Sequence, residues 1–172
     1  MQGSSSNVAT VNFFTKFTSS EQFEKVFREG MSLVEETANY LDGPGRLDAR
    51  VLERHGAIAY ATESMRLTTR LMQLASWLLL QRAIGAGELT VDDARKETHR
   101  ISLNDIGKGH DLAGAGDLPD ALKALVDRSL TLHQRIQKLD SMISAQTSTA
   151  QMPSPVNDQI DRLASMLKVA RG

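Results

Sequence analysis

The sequence predicts an all-α protein: a helical bundle built on three long helices, with one short extra helix and a C-terminal amphipathic tail segment. Three observations lead there. Ala57 to Ile84 contains neither Gly nor Pro and is rich in Leu, Met, Ala, Arg and Gln, residues that favour helix. Leu118, Leu122, Leu125, Ser129, Leu132, Ile136, Leu139 and Ile143 recur at alternating four- and three-residue steps, the spacing of a helix packed lengthwise on another. Aromatic residues make up only 5% of a chain that is 41% hydrophobic, a composition that fits helices better than a sandwich or barrel. At 172 residues the chain suits one domain able to bury a sizeable core.

In chain order, residues 1–18 are small and polar apart from Val11, Phe13, Phe14 and Phe17, and read as a flexible N-terminal arm whose aromatic end can tuck against the body. The bundle itself is expected over 19–145. Its first helix should open at Ser19 or Ser20, where Ser19-x-x-Gln22 resembles a capping box and Glu21 and Glu24 favour a helix N-terminus. Phe23, Val26, Phe27, Gly30, Val34, Thr37 and Leu41 form its core-facing stripe, opposite an acidic outer face. The Asp42-Gly-Pro-Gly45 run should end it.

A spine helix is then expected from Asp48, a good N-cap, to Ile84, about 37 residues or roughly 55 Å, with Gly85 and Gly87 stopping it. Such a length outruns a compact fold of this size, so part of it should project or pair with a second copy. Thr90-Val-Asp-Asp93 should cap a short peripheral helix ending near Leu103, followed by a glycine-rich loop over 104–117. Asp117-Leu-Pro119 starts the last strong helix, with Pro where its missing N–H costs nothing. Residues 146–172 read as a linker, QTSTAQMPSP, and a tail from Val156 to Ala170 whose apolar side holds Ile160, Leu163 and Leu167. That side must dock on something to be stably helical, either the protein's own body or a partner.

The spine carries two apolar faces rather than one. Ile58, Ala61, Met65, Met72, Ala75 and Leu79 cover the first; Tyr60, Leu67, Leu71, Leu74 and Leu78 cover the roughly opposite one. A helix with two such faces must be covered from two sides. Between them lies a polar strip of His55, Thr62, Glu63, Arg66, Thr69, Arg70 and Gln73, replaced in the later turns by Trp77, Leu80 and Ile84. The strip has two readings: an internal ion pair within a solvated face, or a partner-binding surface in which Arg offers a rigid donor fork for carboxylates.

The run AYATESMRLTTRLMQLASWLLLQRA, from Ala59 to Ala83, resembles the signature of an alphaproteobacterial family, the RcdA family of regulators of CtrA degradation. The length and the order of helical segments fit as well, so the resemblance covers roughly residues 12–145. It implies a small, dimeric, non-enzymatic protein of the cytoplasm and the cell pole. In that family's type member the role is that of an adaptor delivering cell-cycle regulators to the ClpXP protease, with the protease machinery, its priming regulators and its substrates as partners. The resemblance also implies a C-terminal region needed for function.

The residues themselves argue against several alternatives. The chain has no cysteine, which removes disulfides, thiolate metal sites and Cys nucleophiles. No Glu-x-x-His or His-x-x-x-His pair occurs, and His55, His99, His110 and His133 are scattered, so no metal or other cofactor is expected. Gly107-Lys-Gly109 follows a helix and lacks the Ser or Thr of a phosphate-binding loop. Nothing marks a nucleophile elbow or a triad, and an enzyme is not expected. A net charge of -1 with no basic stripe weakens the alternative of a DNA-associated transcription regulator. A small-molecule-binding helical domain would need a pocket with converging polar groups. The most apolar run, Leu71 to Leu80, is far short of the ~20 residues that span a bilayer, and the N-terminus lacks the pattern of a signal peptide.

Overall fold

The computed structural model describes residues 15–90, 93, 96–97, 101, 103 and 112–151, the last six by their backbone. The described residues form four α-helices, α1 (Glu21–Asp42), α2 (Pro44–Arg50), α3 (Arg54–Gly85) and α4 (Asp120–Gln151), with a helical turn over 15–18 before them. There is no strand among the described residues. The all-α bundle on three long helices is therefore what this sequence forms.

α1 runs antiparallel to the other two long helices. Gly30 sits against Leu78 of α3, and the ion pairs Glu36–Arg128 and Glu29–Arg135 tie α1 to α4 at 2.7 and 2.6 Å. α3 and α4 run parallel, with Arg70 bonded to Ser129 and Trp77 to Asp140. Parallel neighbours need a connection that returns along the bundle. The return passes α4 at mid-length, where the Gln137 amide donates to the Leu103 carbonyl at 3.0 Å. It re-enters the body at Gly114, whose φ of 86° fits a glycine and whose Cβ, if present, would lie 2.6 Å from the backbone of His55. A 3₁₀ turn, Ala115–Asp117, then leads into α4.

The core lies between the three long helices. The stripe read for α4 is buried at every position except Leu139, which is half-buried. On α3 the Leu67, Leu71, Leu74 and Leu78 face is the inner one, joined by Trp77, Leu80 and Ile84 in the later turns.

Several expectations need correction. Of the two serines expected to open α1, Ser20 caps it, accepting from the Phe23 amide at 3.2 Å; Ser19 forms no capping box, because residues 15–18 are already helical and its hydroxyl bonds back to the Thr15 carbonyl at 2.7 Å. Phe17 packs on Phe23 with ring centroids 5.2 Å apart, so the aromatic end of the N-terminal segment tucks against the body as expected. Leu33 and Tyr40 are buried where Val34 and Leu41 are half-buried: the α1 stripe turns slightly to follow α3.

Asp48 does not cap the spine. Pro44, with its fixed φ, starts the short α2 immediately after Gly43. The Asp48 carboxylate accepts instead from the Tyr40 hydroxyl at 2.8 Å. Burial, then the hydrogen bond to Asp48, holds that phenol protonated well above its usual range; burial pushes the Tyr60 phenol up as well. The spine thus begins at Arg54 and spans 32 residues, matched by the 32 of α4 running beside it. Its length alone does not call for a second copy.

Thr90 caps the next turn as expected, accepting from the Asp93 amide at 3.2 Å. Most of that short helix lies outside the described residues, as does the tail with Ile160, Leu163 and Leu167. The expected linker begins late: α4 continues through Gln151, because QTSTAQ holds nothing that breaks a helix and the first obstacle is Pro153.

Candidate functional site

The strip read from the spine does not stay together as one surface. Arg70 is only 1% exposed and donates to the Ser129 hydroxyl at 2.8 Å. Ser129 in turn donates to the Val126 carbonyl at 2.7 Å, so its oxygen both gives and accepts. It is the one polar position in the α4 stripe, and its small side chain leaves room for the guanidinium. One turn on, His133 is buried too. Farther along the seam the Trp77 indole donates to the Asp140 carboxylate at 2.8 Å. These bonds set the register of two parallel helices, and Arg70 belongs to them rather than to a recognition surface. Its hint in the sequence was the lone Ser among the leucines of α4.

Glu63 and Arg66 do pair, at 2.7 Å, and both are largely covered, their side chains 16% and 24% exposed. Gln73 is half-buried, and its side-chain oxygen has no hydrogen-bond partner among the described residues. The Thr62 and Thr69 hydroxyls donate one turn back, to the carbonyls of Ile58 and Met65, both at 2.9 Å. Thr68 does the same to Ser64 at 2.8 Å. With their hydroxyls turned to the backbone, these threonines present methyl groups.

The consequence is an outward face on α3 made almost wholly of apolar atoms. Ile58, Met65, Met72 and Leu79, each seven residues from the next, are 55%, 70%, 66% and 53% exposed. Between His55 and Arg82, both exposed, the other exposed residues of α3 are Ala61, Thr68, Thr69 and Ser76; none carries a charge. This is the outer of the two apolar faces read from the sequence, whose other members, Ala61 and Ala75, are exposed and half-buried. Sequence periodicity found the face but not which way it points.

Among the described residues no three of His, Asp and Glu converge as a metal site would require. No helix there is long and apolar enough to cross a membrane. The described helices carry a polar seam inside and an apolar stripe outside.

No curated protein matches the chain. The crystal structure of RcdA from Caulobacter crescentus CB15 is similar, with 46% sequence identity and a TM-score of 0.62, over 75% of this chain and 96% of that one. A family model described as "Protein of unknown function (DUF1465)" matches residues 14–167. The chain belongs to that family, and within it is an RcdA-like protein, as the run from Ala59 to Ala83 had indicated.

Proposed function

We propose that this protein is a non-enzymatic adaptor in regulated proteolysis, a homodimer that helps deliver cell-cycle regulators to the ClpXP protease. The observation that carries the reading is 46% identity to RcdA across 96% of that chain; the adaptor role is what membership of the RcdA family implies. The described residues form a helical body with an exposed apolar stripe, which suits a protein that works by binding other proteins.

Thr62, Glu63, Arg66, Thr69 and Gln73 remain candidates for contacting protein partners, at or beside the outer stripe of α3. Arg70 leaves that set because it is covered. The tail, through Ile160, Leu163 and Leu167, acts as a tethered arm that folds when it meets a partner, held near the body at high effective concentration.

The test is reconstituted degradation: purified ClpXP, a cell-cycle regulator as substrate, and the full chain added or withheld. Faster substrate loss with the chain present is expected. A chain ending after Gln151 should keep its helical spectrum and its dimer but lose the acceleration. If the full chain leaves degradation unchanged with every regulator and priming protein supplied, the adaptor reading fails. If truncation unfolds the protein, the tail is part of the core and the arm is wrong.

A further inference from the structure

We infer that the corner formed by α2 captures a short acidic segment of a partner protein, with the partner's apolar side chains on Leu47 and Val51 and its carboxylates on Arg50 and Arg54. The inference goes beyond the adaptor reading, which assigns this corner no role, and does not depend on which protease is served.

α2 contributes almost nothing to the core, since of its seven residues only Gly45 is buried. It is nevertheless held in place from both sides. The Tyr40 hydroxyl of α1 donates to Asp48 at 2.8 Å, and a Cβ on Gly45 would stand 2.5 Å from the Tyr60 hydroxyl of α3. A plain connection between neighbouring helices takes about two to eight residues and needs no helix of its own. What the two tyrosines fix is an outward surface. Leu47 and Val51, one turn apart, are 62% and 83% exposed. One exposed aliphatic side chain is ordinary; two within a turn of each other make a patch. Arg46 and Arg50 directly precede them in the chain, Arg54 opens α3, and all three are exposed.

Charge says what the patch fits. Most carboxylates near these arginines are committed elsewhere. Asp42 pairs with Arg46 at 2.9 Å, and Asp48 is taken by Tyr40. Asp117 approaches α3 at Gly56, about 200° round the helix from Arg54. Glu53 is exposed, and its side chain makes no cap hydrogen bond. Arg50 and Arg54 form no ion pair among the described residues, which leaves two open guanidiniums against that one carboxylate. A guanidinium takes a carboxylate through two parallel hydrogen bonds, and aliphatic side chains beside it exclude water from the contact. The patch is too small for a lipid surface. A helix that lies on a membrane buries a long apolar face, whereas this one offers two aliphatic side chains with Glu53 close by in the chain.

The experiment presents phage-displayed short random peptides to the full chain. Enrichment of peptides with Asp or Glu next to Leu, Ile, Val or Phe is expected. Resynthesised with a fluorescent label, they should lose about tenfold or more in affinity on Arg50→Glu, on Arg54→Glu and on the double variant Leu47→Ser/Val51→Ser. Glu53→Gln should tighten them by removing the competing carboxylate. Lys138→Glu makes the same charge change at an exposed position of α4 and should leave affinity unchanged. The substituted side chains are all exposed, so the helical spectrum and urea midpoint should hold in every variant.

A selection that yields no peptide, or only basic or uncharged ones, would overturn the inference. So would acidic peptides indifferent to Arg50→Glu and to Leu47→Ser/Val51→Ser, or weakened equally by Lys138→Glu, which would be answering overall charge. Sedimentation with phosphatidylglycerol vesicles that Arg50→Glu abolishes would assign the corner to a membrane instead. Peptide binding as expected, in a chain that leaves reconstituted degradation unchanged, would uphold the corner and remove only the adaptor reading.

Discussion

Arg70 and Arg66 sit one turn apart on α3 and should respond unequally to truncation. Arg70→Ala removes a buried guanidinium, its hydrogen bond to Ser129 and the packing of its stem. The expected loss is about 2–4 kcal/mol in urea denaturation. Arg70→Met, which keeps the volume and discards the charge, should lose clearly less. Arg66→Ala breaks a partly covered ion pair with Glu63 and should cost about 1 kcal/mol or less. Equal losses at the two positions would contradict the separation of seam from surface. Sequence reasoning grouped these arginines because a helical wheel places both on the polar strip. What splits them is the partner helix: Ser129 makes a niche in an otherwise leucine-lined stripe, and nothing local to α3 reveals where that niche falls. The pairing of Glu63 with Arg66 was legible, being a matter of three-residue spacing on one helix.

Element by element, the inner faces were readable wherever the period was strong and the ends unambiguous. The α4 stripe from Leu118 to Ile143 is the clearest case. Boundaries were less readable, because the same residue can stop one helix and start another. Pro44 ends α1 and opens α2 within two residues, and Gln146 to Gln151 merely continue α4 until Pro153 intervenes. Gly30 gives a test of how closely α1 and α3 approach. A Cβ there would stand 2.6 Å from Leu78 Cδ1, in a fully buried part of the core. Gly30→Ala should be nearly neutral, the ~1 kcal/mol gain in helix propensity offsetting the shift of Leu78. Gly30→Leu should overpack the crossing and lower stability by ~1–3 kcal/mol, measured by thermal melting. A Gly30→Leu variant as stable as the wild type would mean that the crossing is looser than described.

At the scale of the whole molecule, the parallel course of α3 and α4 was the least legible feature. Periodicity fixes which side of a helix is apolar, not which way its neighbour runs, and two apolar faces on α3 left open which one the protomer keeps. Packing settles it: Leu67, Leu71, Leu74 and Leu78 go inside against α1 and α4, and the methionine face is left outside. The parallel course has a kinetic consequence. α1 and α3 are joined through the short α2 and close like a hairpin at Tyr40, Asp48 and Tyr60. α4 reaches α3 only after the whole return segment has been threaded back, and its bonds to Arg70 and Trp77 link residues 59 and 63 positions apart. Closing that loop costs entropy before any contact repays it. The transition state for folding should therefore contain the α1–α3 pair with α4 still undocked. In stopped-flow denaturation, Leu33→Ala should mainly slow folding, whereas Leu132→Ala should mainly speed unfolding. The reverse pattern would place α4 in the folding nucleus. If the order holds, the last helix to dock is also the first to leave, so the chain's resistance to unfolding is set by how long α4 stays in its seam.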